Sequence, residues 1–324
     1  MKGKSEVVLK DLPSDYISSI KFHKKFGDLL LVSSWDCAVR LYDVDDNALR
    51  FKWTTADPTL DSLFLGPAHI AYGGVDGVVK VREAETDYEV TVGTHNSAVK
   101  IMDFLPSYNA MITGSWDKTV KIWDLRVEGA CETYEQCDGK VYSMSCVGEK
   151  VAVGTSGCKA LIWDLRNLKS YMILHRLNHR VNCIALSPNK QCYAIGHTDG
   201  RVAVAYIDRD PEVRKLKTTF KCHRMIKDEF EHIFGVTAVR FYDGNGIFAT
   251  GGGNGFVNIW DGVNKKHLCR YPRHHLAVTS MDFSPDLKKL AVACSEQTVE
   301  PFLDRPLNVL IKVWNVNDRK IDPK

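Results

Sequence analysis

No stretch of this 324-residue chain approaches the ~18 consecutive apolar residues that a membrane-crossing helix needs. The opening residues, MKGKSEVVLKDLP, also lack the apolar run of a secretory signal. None of the ten cysteines stands in a Cys-x-x-Cys pair. Scattered singly from Cys37 to Cys294, they read as free thiols in a reducing compartment, the cytosol or nucleus, most of them packed as small hydrophobes. Neither sign of charge is in excess: 43 basic against 40 acidic residues leave +3. That balance gives no case for membrane or direct nucleic-acid binding, although a local basic face stays compatible with it. Catalytic signatures are missing as well, with no Gly-x-Ser-x-Gly elbow, His-Glu-x-x-His helix or phosphate-binding Gly-x-x-x-x-Gly-Lys. The glycines at 251 to 253 lie on a strand before a turn, and His274-His275 has no partner cluster for a metal. The chain therefore reads as no enzyme, with no cofactor and no metal. Helical periodicity is nearly absent, and only Lys227 to His232 predicts a short helical turn.

What is present is a repeat. Residues 93 to 124, GTHNSAVKIMDFLPSYNAMITGSWDKTVKIWD, hold three short strand-type runs separated by turn residues. The unit recurs in ISSIKFH/LLLVSSWD/AVRLYDV, LDSLFL/HIAYGGVDG/VVKVREA, KVYSMSCV/KVAVGTSG/KALIWDLR, RVNCIALSP/CYAIGHTDG/RVAVAYID, VTAVRFY/IFATGGGNG/FVNIWDG and VTSMDFSP/KLAVACS/LIKVWNV, making seven. A fourth strand such as YEVTVGTH lies between units. The central turns at Asp36, Asp76, Asp117, Gly157, Asp199 and Asn254 are spaced 40, 41, 40, 42 and 55 residues apart. Such a period, with four strands per unit and Trp-Asp ending third strands at 123–124, 163–164 and 260–261, predicts a WD-repeat β-propeller of seven blades. All 324 residues then form a single domain, carrying extra residues in 208 to 235 and an insertion, EQTVEPFLDRPL, at 296 to 307. The lone strand EVVLK (6 to 10) is expected to complete the last blade and remove the open edge of the ring.

Most polar landmarks in this pattern are scaffold. His95, His223 and one of His274 or His275 precede first strands, where each is expected to bond a turn aspartate and a hydroxyl. Trp123, Trp163, Trp260 and Trp314 are expected to pack between blades. Four residues do not fit the scaffold. Trp35 and Trp116 stand just before the turn aspartates in SSWD and GSWD; they either fold onto neighbouring loops or serve as interface anchors, and the second reading is adopted. Arg201 follows the turn Asp199-Gly200, and Arg224 follows His223, with Lys118 and Lys221 nearby in the pattern. Connections from second to third strand and from fourth to first strand open on one face, so these four residues are expected to share a rim. Aromatic rings beside arginines suit an acidic or phosphorylated peptide, because arginine grips carboxylate or phosphate in a fork, while simple solvated charge is the competing reading.

SSWD…VRLYDV, TGSWDKTVKIWD, VYSMS, ALIWDLR, GRVAVAYID, PEVRK, FKCHR and ATGG…GFVNIWD…NKKHLC, in that order over nearly the whole chain, resemble the Bub-family WD-repeat proteins of the spindle assembly checkpoint. The WD-repeat messenger-RNA export factors that bind a nucleoporin share SWDKTVK and FKCHR; PEV after GRVAV favours the checkpoint family. The resemblance implies a non-enzymatic adaptor, monomeric by itself, in the nucleus, at the kinetochore and in the cytoplasm. Implied partners are checkpoint kinases or kinase-like proteins, through their glutamate-containing GLEBS motifs, and a kinetochore scaffold with phosphorylated Met-Glu-Leu-Thr repeats. By motif match Arg201 would meet a GLEBS glutamate and Arg224 the phosphate, with Trp35 and Trp116 supporting the peptide. The chain departs from the family pattern at Gly157, in VAVAY after Arg201, and in the DGNG loop (243 to 246), which lacks a second lysine for phosphate. A further alternative comes from the paired WDLR motifs at 123 to 126 and 163 to 166, which resemble those of cullin-type ubiquitin ligase substrate receptors. Arg126 and Arg166 would then meet an adaptor; the simpler reading has them close the third strand.

Overall fold

A computed structural model describes residues 6 to 316, except 67, 127–130, 136–138, 167–170, 177–178, 209 and 297–307. Its described residues form seven four-stranded antiparallel sheets, one per repeat, and one separate two-stranded sheet. In the third blade the strands are Val99–Leu105, Ala110–Ser115, Thr119–Asp124 and Cys131–Glu135, paired in sequence order. Second strands such as Ala110–Ser115 and Ile247–Gly252 are buried at every residue. They lie between two neighbouring blades, so both faces are covered, which is why AMITGS and IFATGG read as unbroken apolar and small runs. The peripheral strand Ala48–Thr54 alternates in burial, as a strand with one wet face does.

Hydrophobic packing is divided into seven clusters, one at each blade junction. Trp123 packs at the second junction with Leu63, Val79, Met102 and Met111. Every first strand carries a register shift at its second or third residue, as between Val99 and Ile101 or Val278 and Ser280. These bulges bend the strand, and main-chain N–H groups on it donate to side chains of the preceding blade. Met102 N–H reaches Asp61 at 2.7 Å, Cys146 N–H reaches Asp103 at 3.1 Å and Phe22 N–H reaches Asp282 at 2.8 Å.

The ring closes as the amino-terminal strand suggested. Glu6–Val8 pairs with the third strand of the last blade, Val7 opposite Val313, and Lys312 bonds Glu6 at 2.9 Å. The last blade's insertion lies outside the described residues from position 297 onward. One expectation fails outright. Lys227 to His232 is no helical turn; Arg224–Lys227 and Phe230–Ile233 pair as a hairpin. Asp228 and Glu229 at its tip have φ of 52° and 66°, the left-handed pair of a two-residue hairpin turn, which reverses the chain too tightly for a helix. The short helix of the region is instead Pro211–Lys215.

His95 and His223 behave as their position implies, although His223 meets Asn254 in place of an aspartate; the expectation fails for His274, whose ring nitrogens are buried without a hydrogen-bond partner among the described residues. His95 Nδ1 donates to Asp117 at 3.0 Å, and its Nε2 accepts from the Thr113 hydroxyl, to which the Trp123 indole N–H also donates. His223, Asn254, Thr250 and Trp260 repeat that network in the sixth blade. Only a neutral ring with the proton on Nδ1 satisfies every partner. In the last blade His274 is the buried member of its pair and His275 the exposed one. Burial pulls His95 below the ordinary histidine range and holds His223 and His274 down to about 4. A histidine with a lowered folded pKa binds its proton better in the unfolded chain. Its stabilising effect is thus complete above the unfolded value of about 6.5 and is lost as pH falls towards about 4. Thermal unfolding should show a midpoint that drops steadily between about pH 6.5 and about pH 4.5. A flat profile over that window would show that the rings tolerate protonation.

Candidate functional site

In six blades the residue just before the central turn donates its N–H to the carbonyl of the residue just before the first strand. The pairs are Trp35–Tyr16, Val75–Pro58, Trp116–Ala98, Ser156–Lys140, Thr198–Arg180 and Gly253–Gly235, all between 2.9 and 3.2 Å. This repeated bond fixes both kinds of connection on one rim. Trp35, Trp116, Arg201 and Arg224 all stand there, as the spacing of the repeats implied. It also corrects one expectation. The DGNG loop joins a first strand to a second strand, and Asn189, in the same kind of loop one blade earlier, donates to Gly244. Loops of that kind open on the opposite rim, so a missing lysine at 243 to 246 has no bearing on this site.

The two arginines meet; the two tryptophans lie on other blades. Arg201 Nε is 3.1 Å from the Asp199 carboxylate, and Arg224 Nη2 donates to the Asp199 carbonyl at 3.0 Å. His179 reaches the same carboxylate at 3.4 Å. The other arm of Arg224 donates to Glu231 on the hairpin at 2.9 Å, and Lys221 bonds that glutamate at 3.2 Å. Lys221, with Arg224, holds the Glu231 carboxyl below its ordinary range. Arg224 is the more enclosed, its side chain 12% exposed against 44% for Arg201. Trp35 presents 40% of its surface on the first blade. Trp116 on the third blade is half-buried, with Lys140 5.4 Å from its ring, and so partly takes the folded-down arrangement.

Sequence reading missed Arg180. It stands directly before a first strand, exposed, with its guanidinium 3.9 Å from the Tyr142 ring and its carbonyl bound to Thr198. Aligning the blades on the residue before each first strand would have exposed it beside Lys140. Glu231 was missed because its helical-turn reading placed it on no rim at all. Together Arg201, Lys221 and Arg224 set three positive side chains against Asp199 and Glu231, with Arg180 on the same rim one blade earlier. Such an arrangement has the chemistry to accept an anion through arginine forks, with flat rings on the same rim at the first and third blades.

Arg126 and Arg166 lie at the ends of third strands. Each forks the aspartate two residues earlier, Arg126 on Asp124 and Arg166 on Asp164, at 2.6 to 2.9 Å. That is the strand-closing geometry. Cys183, Cys192, Cys222 and Cys294 are buried, and Cys37, Cys146, Cys158 and Cys269 half-buried.

The sequence matches the model of the family described as WD domain, G-beta repeat at residues 88–124, 214–261 and 265–300. In fold it superposes on the WD40 repeats of RRP9 with a TM-score of 0.83 over 96% of this chain and 97% of that one, at 16% identity. Among curated proteins it is 37% identical to mitotic checkpoint protein BUB3.1 of Arabidopsis thaliana, over 98% of this chain and 94% of that protein. It is 33% identical to mitotic checkpoint protein bub-3 of Caenorhabditis elegans, over 96% and 94%. The mRNA export factor GLE2 of Chaetomium thermophilum is 27% identical over 96% and 89%. Over nearly its whole length, this chain belongs to the family of mitotic checkpoint Bub3 proteins.

Proposed function

We propose that this protein is a non-enzymatic adaptor of the spindle checkpoint that docks extended peptides of other proteins on one rim of its ring. The supporting observation is the cluster of Arg201, Lys221 and Arg224 around only two carboxylates, at the junction of the fifth and sixth blades. A phosphothreonine carries about −1.5 to −2 charges and three acceptor oxygens, which suits such a cluster better than a single carboxylate does. In this reading Arg224 takes the phosphate of a Met-Glu-Leu-Thr repeat on a kinetochore scaffold. Arg201, the more exposed, takes a glutamate of a GLEBS motif from a checkpoint kinase. Trp35 and Trp116 carry the apolar parts of the peptides. Such a protein would act in the nucleus and at the kinetochore.

The test is calorimetric titration with a phosphorylated Met-Glu-Leu-Thr peptide and its unphosphorylated twin. Selective uptake of the phosphopeptide supports the checkpoint reading. Uptake of neither, with tight binding of a nucleoporin GLEBS peptide, would favour the export-factor reading instead.

Glu231 sharpens the test. Its carboxylate occupies the arms of Arg224 and Lys221 that an incoming phosphate would need. Glu231→Gln should therefore tighten phosphopeptide binding, by about two- to five-fold, the scale of an exposed ion pair. Weaker binding would mean that Glu231 holds Arg224 in its working position.

A further inference from the structure

One blade beyond Arg224 the rim carries a second basic site with a different charge balance. His223, which precedes Arg224, bonds the side chain of Asn254 at 2.9 Å. The carbonyl of Asn254 in turn accepts Arg273 Nε at 3.0 Å. Arg273 is exposed, and its guanidinium lies 5.7 Å from the half-buried ring of Phe256. Arg270 flanks the same ring at 4.8 Å, its Nε donating to Asn258 at 2.8 Å. Each guanidinium is thus held through Nε, and the Arg273 fork faces outward.

Four of the turns carry an aspartate at this position, Asp36, Asp76, Asp117 and Asp199, and Asp199 neutralises part of the charge at the neighbouring site. Here the turn residue is the neutral Asn254. Among the described residues no carboxylate pairs with Arg273. The adjacent His274 stays uncharged near neutral pH because burial holds its pKa at about 4. A fixed, exposed, uncompensated guanidinium over an aromatic ring is a receptor for an oxyanion, because its ordering entropy is already lost before the anion arrives.

We infer that Arg273 and Phe256 form a second anion-binding site, which takes a carboxylate or phosphate monoester of the acidic peptide docked on this rim. The site rests on its own geometry; the peptide as its source rests on the function proposed above. Its place next to the His223–Asn254 link lets one extended acidic segment engage Arg224 and Arg273 together.

The probe is hexaglutamate, followed by anisotropy at low salt and by the side-chain ¹⁵Nε resonances of arginine. Arg273→Gln identifies the Arg273 resonance and should weaken hexaglutamate binding about five-fold. In Arg224→Gln the hexaglutamate-induced shift of Arg273 should persist. An unmoved Arg273 resonance, or unchanged affinity in Arg273→Gln, would overturn the inference. A response to oligouridylate and none to hexaglutamate would overturn the peptide assignment in favour of nucleic-acid phosphate. Loss of the phosphopeptide response at Arg224 with an intact hexaglutamate response at Arg273 would sink the proposed function and leave this site standing.

Discussion

Arg224→Ala should weaken binding of a phosphorylated Met-Glu-Leu-Thr peptide by roughly ten- to a hundred-fold, the scale of a charge-assisted hydrogen bond removed from an enclosed site. The unphosphorylated twin should lose far less. Arg224 is better placed as a phosphate ligand than Arg201 because it is the more enclosed of the two. Its side chain is 12% exposed, with one arm on the Asp199 carbonyl and the other on Glu231. Little rotamer freedom remains to be lost when a phosphate arrives, and the planar fork matches two phosphate oxygens. The same contacts tie the hairpin to the ring, so the alanine variant must first be shown to unfold at the wild-type temperature. Arg224→Lys separates the two roles, since it keeps the charge and loses the fork. Equal loss for both peptides in Arg224→Ala would mean that the residue positions the hairpin and reads no phosphate.

The largest effect on stability is expected from Gly255→Ala, at about 3 kcal/mol or more. Gly255 closes the central turn of the sixth blade with φ of 77°, and a Cβ there would stand 2.2 Å from the His274 carbonyl oxygen and 2.8 Å from that of Leu276. Those atoms are main chain and cannot swing aside. Left-handed backbone alone is not the obstacle, since Lys118 holds φ of 73° at the equivalent turn of the third blade. The conformational part of the cost is about 1 kcal/mol; the rest comes from forcing the next blade's entry segment outward. That movement would also pull on the His274 N–H bond to the Gly255 carbonyl, now 2.8 Å. Denaturant unfolding of the purified variant measures the effect. A loss near 1 kcal/mol would show that the junction relaxes and that only the left-handed turn is being charged.

The blades were legible because their causes are local. Alternation with a period of two, turn residues at 117–118, 199–200 and 254–255, and a Trp-Asp end to the third strand define each sheet from within some forty residues of chain. His95 and His223 were legible for the same reason, since each enters the blade whose turn residue and hydroxyl it binds. The amino-terminal strand was placed correctly because an unpaired edge had to be covered by something, and only one lone strand was left over.

The site itself was half legible. Trp35 and Trp116 announce themselves as large rings at positions that other blades fill with Val75, Thr198 or Gly253. That they share a rim with Arg201 and Arg224 follows from blade topology. What topology does not give is which side chains meet. Arg201 and Arg224 share Asp199, Arg180 lies on Tyr142, and Glu231 answers Arg224 only because residues 224 to 233 fold into a hairpin instead of a helical turn. A run such as KDEF reads alike in both, and the two left-handed residues that decide it, Asp228 and Glu229, carry no glycine to advertise them. The sequence by itself determined seven blades, their closure and the rim on which large rings and arginines gather. Only the tertiary structure decided how those charges are balanced, because pairing between neighbouring blades depends on ring geometry and not on the spacing of residues along the chain.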